Sequence, residues 1–303
     1  MKKLHLQQQS FRYILQGFKD WLQLLNYSDS AQTNYPHYVQ EFFYFLEQNG
    51  ILQIDRVSHE QILAYYNHLK HRHNQTRSGG LSRAYLNHHQ TALKKLRVFL
   101  KRQGISGFKV PLRREKMPQE AKAVCSKQTI KALFNATDYS HEKPHFRARH
   151  KAMLVCLYSL GMRRSEVVNL QLKDIDYQNL VVLVKKGKNY KQRLIPINKY
   201  NLRILEVFIY EHRNSFDSAI SSPYVFVSHR AQKMVGDTFS SDLKRIIKAS
   251  GLEETLEGFS LHSLRHAIAT HLLQAGVAIE RIQCFLGHQS LDSTQIYTQI
   301  LEA

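Results

Sequence analysis

Between Ala152 and Met162 the chain runs uncharged (AMLVCLYSLGM) and then meets two arginines, Arg163 and Arg164. A helix without a polar stripe has no face to give to water, so it must lie inside a domain with other elements wrapped around it. The run falls short of the ~20 apolar residues that span a bilayer. A core helix over about Ala148 to Leu160 is the expectation, ended by Gly161, with Arg163 set against the core at its tip. Glu166, three residues on, is placed to brace that guanidinium. Taken alone, the same pattern also fits a purely structural Arg–Glu pair.

The first hundred residues follow another rule. Four amphipathic helices are predicted there. The first runs from about Phe11 to Asn26, and the second from about Ala31 to Gln48, with Tyr35, Val39, Phe42, Phe43 and Leu46 on one face. Ser58 and Gln61 form a capping-box pattern that opens the third, to about His71. The fourth begins near Ser82, buries Leu86, Leu93, Leu96 and Leu100, and stops at Gly104. From Gly104 to Glu120 the periodicity fails among two glycines, two prolines and the basic Arg113, Arg114 and Lys116, which predicts a linker. Beyond it Ser126 caps a further helix. Leu180 to Val184 and Arg193 to Ile197 read as a hairpin across KKGKNYKQ, and another short strand is predicted at Tyr224 to Val227. From about Thr238 the chain is mostly helical. The expected organisation is a helical domain over 1–104, a basic linker over 105–125 and a second domain over 126–303. The fold class is mainly α with a small β-sheet in the C-terminal domain.

Charge narrows the partners. The chain holds 43 Lys+Arg against 24 Asp+Glu, a formal charge of +19. Residues 1–120 carry 18 basic and 8 acidic side chains, residues 121–303 carry 25 and 16. Two positive domains, rather than one basic tail, ask for a polyanion that both touch, such as duplex nucleic acid. The alternatives are a basic protein kept soluble by its charge, or one that binds an acidic membrane surface. At 43% hydrophobic and 22% charged, the composition excludes disorder and fibrous architectures. No apolar segment follows the two N-terminal lysines, so no signal peptide is expected. Cys125, Cys156 and Cys284 are widely spaced without a CxxC, which fits a reducing compartment and no zinc site.

In the second half, polar residues interrupt apolar contexts at three places. The first is GMRRSE, with Arg163. The second is the hairpin turn GKNYKQR, which carries Lys188. The third is LHSLRHAIATHLLQAGVAIERIQCFLGHQSLDSTQIYTQ. Within it His262 and Arg265 are three apart and share a helix face, His288 follows a glycine, and Tyr297 comes nine residues later. His262 and His266 have the spacing of helical metal ligands. Ser263 stands where the HExxH zinc motif needs glutamate, however, and no carboxylate lies close in sequence, so no metal is expected.

Together, Arg163 in GMRRSE, Lys188 in the hairpin, HSLRH, LGH and the following tyrosine resemble the tyrosine recombinases, the phage-integrase family. The nearest likeness is to its Xer-like and transposon-borne bacterial members. The resemblance covers 126–303 strongly and 10–104 through the family's helical DNA-gripping domain. It implies an N-terminal SAM-like domain and a catalytic domain forming a C-shaped clamp. It also implies site-specific cutting and rejoining of DNA through a 3′-phosphotyrosyl intermediate, in integration, excision, inversion, dimer resolution or transposition. Tyr297 would attack the scissile phosphate, freeing a 5′-hydroxyl. With an unperturbed pKa of about 10, its phenol needs a base or a strongly positive site. Arg163 and Arg265 would clamp the non-bridging oxygens, as fixed donors typically worth ~3–4 kcal/mol each. Lys188 would be the general acid for the leaving oxygen, His262 would serve acid–base chemistry at the tyrosine, and His288 would donate to a phosphoryl oxygen. Glu166 would brace Arg163, while His266 and His271 read as packing or hydrogen-bonding positions. Because the covalent link conserves the phosphodiester, no cofactor is expected.

The implied partner is double-stranded DNA with a specific recombination site. The resemblance puts a homotetramer on paired sites, or an assembly with a related recombinase, in the cytoplasm at the nucleoid and away from membranes. Two further readings stay open: a type IB topoisomerase-like relaxase, and a non-catalytic DNA-binding protein of the same fold. One departure from the family lies after Tyr297. Six residues follow it, where many relatives continue into a helix that docks on the neighbouring protomer.

Overall fold

Four apolar stripes near the N-terminus have chiefly each other to bury against, and they do so as α1 (Gln9–Leu24), α2 (Asp29–Gln48), α3 (His59–His71) and α4 (Arg83–Arg102). The computed structural model describes residues 4–74, 78–116, 125–185, 192–216, 219–228 and 233–287. Serine hydroxyls open three of these helices. Ser28 accepts from the Ala31 N–H, Ser58 makes the capping box with Gln61, and Ser82 accepts from the Tyr85 N–H. Phe11, Phe18, Phe42, Phe43, Leu93, Leu96 and Leu100 are buried between them, and Phe11 stacks on Phe43 with ring centroids 4.6 Å apart.

The stretch predicted as a linker has no regular structure from Ile105 to Lys116, yet much of it is held down. Phe108 and Leu112 enter the core of the first unit, which spans Met1–Ala121. Asn87 on α4 takes the Glu115 peptide at both ends, accepting its N–H at 2.9 Å and donating to its carbonyl at 3.0 Å. Two widely spaced apolar anchors carry no period, so the sequence pattern does not show them.

The second unit, Lys122–Ala303, is organised around the uncharged run. Its elements are α5 (Lys127–Ala136), α6 (Pro144–Leu154), α7 (Arg164–Asn169), β1 (Ile175–Asp176), β2 (Val181–Val184), β3 (Arg193–Pro196), α8 (Lys199–Glu206), α9 (Gly236–Ser250), α10 (Leu261–Gln274) and α11 (Ile279–Leu286). Helix α6 continues into a π-helical turn, Val155–Ser159. Residues Ala152 to Cys156 are wholly buried, as an all-apolar helix must be. The sheet is antiparallel in the order β1-β2-β3, with Val182 opposite both Ile175 and Ile195, and these three residues face the core. No helix among the described residues is long and apolar enough to cross a membrane.

Two expectations change. Tyr224 to Val227 is not a strand, because it pairs only through isolated bridges, Tyr224 with Gln171 and Val227 with Lys233. Buried Arg213 instead engages the carbonyls of Ser222, Tyr224 and Val225. The first turns of the core helix are also not apolar. Arg149 and His150 are buried inside it, opposite Asp242 of α9. The Arg149 guanidinium donates to the Asp242 carboxylate at 2.8 Å and lies over the rings of Phe146 and Phe216, at 4.6 and 5.0 Å.

Asp242 is therefore the counter-charge on which α6 and α9 close. Burial pushes its carboxyl up, but His150, Arg149 and Arg245 outweigh that and hold it below the usual carboxylate range. Asp242→Asn should cost about 3–5 kcal/mol at neutral pH in urea unfolding, since it strands a buried cation. The deficit relative to wild type should shrink as pH falls through the depressed carboxyl value.

Candidate active site

The uncharged helix ends on Gly161 at φ +54°, a left-handed cap that glycine adopts without strain. A Cβ there would sit 2.7 Å from Leu286 Cδ2 and 3.0 Å from the Phe285 ring, so the missing side chain also admits the end of α11. Arg163 follows in extended conformation just before α7. Glu166, in the first turn of α7, accepts both the Arg163 backbone N–H at 2.8 Å and its Nη1 at 2.9 Å. The brace read from the sequence is present.

Three guanidiniums meet the C-terminal end of α11. The last carbonyls of a helix have no partners within it and carry the negative end of the helix dipole, which favours cations there. Arg163 donates through Nη1 to the Leu286 carbonyl at 3.4 Å and through Nη2 to that of Gly287 at 3.0 Å. Arg265, from α10, donates to the Gly161 carbonyl and, at 2.5 Å, to that of Leu286. Arg163 and Arg265 thus converge on one oxygen, although they lie 102 positions apart in the chain.

The third guanidinium was not singled out in the sequence. Arg193 opens β3, donates through Nε to the Phe285 carbonyl at 3.0 Å, and grips both oxygens of Glu166 at 3.0 and 2.9 Å. Its place at the end of a strand reads as ordinary solvated charge, and nothing local points to a carboxylate 27 residues earlier. Burial pushes the Glu166 carboxyl up, but Arg193 and then Arg163 outweigh it, and the carboxyl sits below its ordinary 4.5.

Exposure separates the members. Arg265 is 1% exposed and the Arg193 side chain 9%, whereas the Arg163 side chain keeps 21% of its surface. The cluster is a buried positive wall with one guanidinium reaching outward, suited to holding the oxygens of an anion such as a phosphate diester. His262 lies on α10 one turn before Arg265 and is exposed, with its ring 4.3 Å from that of His266. His271 is a hydrogen-bonding position. Its Nε2 donates to the Cys125 carbonyl at 2.8 Å, so its Nδ1 accepts the Tyr158 hydroxyl at 2.9 Å. No group of three metal-ligating side chains converges among the described residues. Of the six candidate residues, Arg163, His262 and Arg265 are placed by the structure, while Lys188, His288 and Tyr297 lie outside the described residues.

Comparison with known proteins gives consistent results. The phage integrase family matches residues 123–303. Tyrosine recombinase XerC of Anoxybacillus flavithermus is 28% identical over 301 residues, 96% of this chain and 94% of that protein. Tyrosine recombinase XerA of Thermococcus kodakarensis is 30% identical over 292 residues, 95% of this chain and 90% of its own. Among solved structures, XerH site-specific recombinase bound to its difH substrate matches all of this chain and 90% of that one, with a TM-score of 0.72 at 19% identity, which speaks to the fold.

Glu166 ties the wall together only while ionised. A carboxyl lowered on folding stabilises the protein above the ordinary carboxylate range, and that contribution is lost as pH falls through the depressed value. Glu166→Gln should cost about 3 kcal/mol at pH 7 by urea unfolding. The gap to wild type should close progressively in acid.

Proposed function

The chain belongs to the phage integrase family of tyrosine recombinases, and from that premise we propose that the arginine wall at the end of α11 is the phosphate-binding half of a site that cuts and rejoins DNA. The protein is a site-specific DNA recombinase. The observation that carries the site assignment is the convergence of Arg163 and Arg265 on the Leu286 carbonyl. A carbonyl oxygen held by two guanidiniums stands where a non-bridging phosphate oxygen would be held, and duplex DNA arriving with its own oxygens would exchange for it.

On this reading the scissile phosphate docks against Arg163 and Arg265, and the phenol oxygen of Tyr297 attacks phosphorus. The bond to the 5′-oxygen breaks, the 3′-phosphate passes to the tyrosine, and Lys188 supplies the proton that the leaving oxygen takes. His288 donates to a phosphoryl oxygen as charge builds on the pentacoordinate phosphorus. His262, exposed one turn before the buried Arg265, is read as the acid–base group for the tyrosine. Attack by the freed 5′-hydroxyl of another strand reverses the sequence, so the energy of the phosphodiester is kept.

The first unit, residues 1–104 with the chain that follows, is read as the domain that grips core DNA, and 126–303 as the catalytic domain. Both carry the positive charge such a partner needs. Strand exchange needs two sites, so the working assembly is a homotetramer on paired DNA, or one shared with a related recombinase, in the cytoplasm at the nucleoid.

Protein incubated with sheared host DNA and stopped in detergent should yield covalent adducts at a recurring inverted-repeat sequence, and Tyr297→Phe should yield none. Adducts formed by Tyr297→Phe would remove Tyr297 as nucleophile, and adducts without sequence preference would indicate relaxation rather than recombination. Binding to the recovered site should fall with salt, by about 0.9 in the log–log slope for each phosphate neutralised. A flat salt response in filter binding would contradict a backbone contact.

A further inference from the structure

Arg193 is the member of the wall turned wholly toward protein. Its three guanidinium nitrogens all donate to protein: Nε to the Phe285 carbonyl, Nη1 and Nη2 to the two oxygens of Glu166. Its side chain is 9% exposed, against 21% for Arg163. The fork makes it the bidentate partner of the carboxylate, gripping both oxygens, while the Arg163 guanidinium reaches one of them and its backbone N–H takes the other. Glu166 holds Arg163 in place, but a carboxylate 2.9 Å from a guanidinium also cancels the charge that a phosphate would feel. A second cation on the same carboxylate removes that conflict.

We propose that Arg193 is a positioning residue for strand cleavage: it neutralises Glu166, so that Arg163 is held in place yet keeps its positive charge for the scissile phosphate. This inference rests on the recombinase reading of the site. Charge balance gives its logic. Among the described residues the wall comprises Arg163, Arg193, Arg265 and Glu166, a net of two positive charges. A phosphodiester brings one negative charge, and the phosphorane formed by phenolate attack carries two. With Arg193 the wall matches the transition state better than the ground state, which is the condition for catalysis. Without it the wall matches only the ground state. Arg193 also joins two elements, since it opens β3 and is tied to the end of α11. A glycine at position 287 makes room for it, because a Cβ there would lie 2.9 Å from Arg193 Nη1.

The test compares single-turnover rates of covalent adduct formation on radiolabelled sheared host DNA, with protein in excess, for wild type, Arg193→Met, Glu166→Gln, the double variant and Arg193→Lys. Arg193→Met should slow cleavage by about 100-fold, the scale of losing one preorganised charge donor. The double variant should recover to within about 10-fold of Glu166→Gln, because removing the carboxylate frees Arg163 again. Binding of Arg193→Met to a non-specific duplex should change less than about 2-fold, since the guanidinium it loses is turned to Glu166 and Phe285 and not to the nucleic-acid backbone. A merely structural role predicts the opposite of rescue, and a double variant no faster than Arg193→Met would overturn the proposal. So would wild-type cleavage by Arg193→Met. Thermal melting checks that each variant folds. If the methionine variant does not fold, Arg193→Lys decides: it keeps the charge and loses the fork, so a rate within about 10-fold of wild type supports the proposal, and a loss of about 100-fold overturns it. Wild-type protein that forms no adduct at all would overturn the recombinase reading and this inference with it, whereas a wild-type adduct insensitive to Arg193 overturns the inference alone.

Discussion

The unpaired carbonyls at the C-terminal end of α11 set the terms for the second unit. Phe285, Leu286 and Gly287 present oxygens that the helix itself does not engage, and Arg193, Arg163 and Arg265 come to them from β3, the tip of the buried core helix and α10. One short helix end therefore fixes the relative placement of elements spread over more than 120 residues. The helix dipole makes the gathering of three like charges tolerable, and Glu166 supplies the single carboxylate that binds two of them together. Gly161 and Gly287 are part of the same constraint, because a methyl group at either would collide with Leu286 or Arg193.

Among the described residues of the unit, two arginine–carboxylate clusters reach into the interior, and they differ. Arg149 and Asp242 are buried, with side-chain exposures of 3% and 0%, and the guanidinium is covered by two phenylalanine rings. That cluster joins α6 to α9, and Arg245 from the surface donates to the same carboxylate at 3.2 Å. At the end of α11 the charges are unequal in number and Arg163 reaches the surface. The buried Arg149–Asp242 pair serves cohesion, while the end of α11 gathers three guanidiniums of which Arg163 can meet an anion. The buried cysteines agree with this division. Burial pushes the Cys125 and Cys156 thiols up to about 11 and about 12, which leaves them inert core residues.

Much of this was legible in the sequence because local rules suffice for it. Periodicity, with serine caps at two of them, gave the four N-terminal helices to within about two residues at each end, β-branched runs gave the two longer strands, and the arginine that ends an apolar helix pointed to Arg163. Arg193 was not legible, since its meaning lies in a carboxylate 27 residues away and in a helix end still farther along the chain. The same limit hid the Arg149–Asp242 pair, 93 residues apart, and the anchoring of Phe108 and Leu112. Tyr224 to Val227 misled for a related reason: its composition suits a strand, but a distant arginine takes its carbonyls. Local pattern reports which elements form, whereas charge pairing across the fold decides which of their polar groups meet.

The account stands on Arg163 and Arg265 exchanging a carbonyl oxygen for a phosphate oxygen while Arg193 stays with Glu166. Nitrogen-15 spectra of the arginine side chains observe that directly, with Tyr297→Phe protein titrated with a duplex carrying the trapped site. The Nη resonances of Arg163 and Arg265 should move on binding, and those of Arg193 should keep their shifts and their slow hydrogen exchange. Resonances of Arg163 and Arg265 that stay unmoved by a duplex that binds would contradict the account, because the wall would then not be where the phosphate sits.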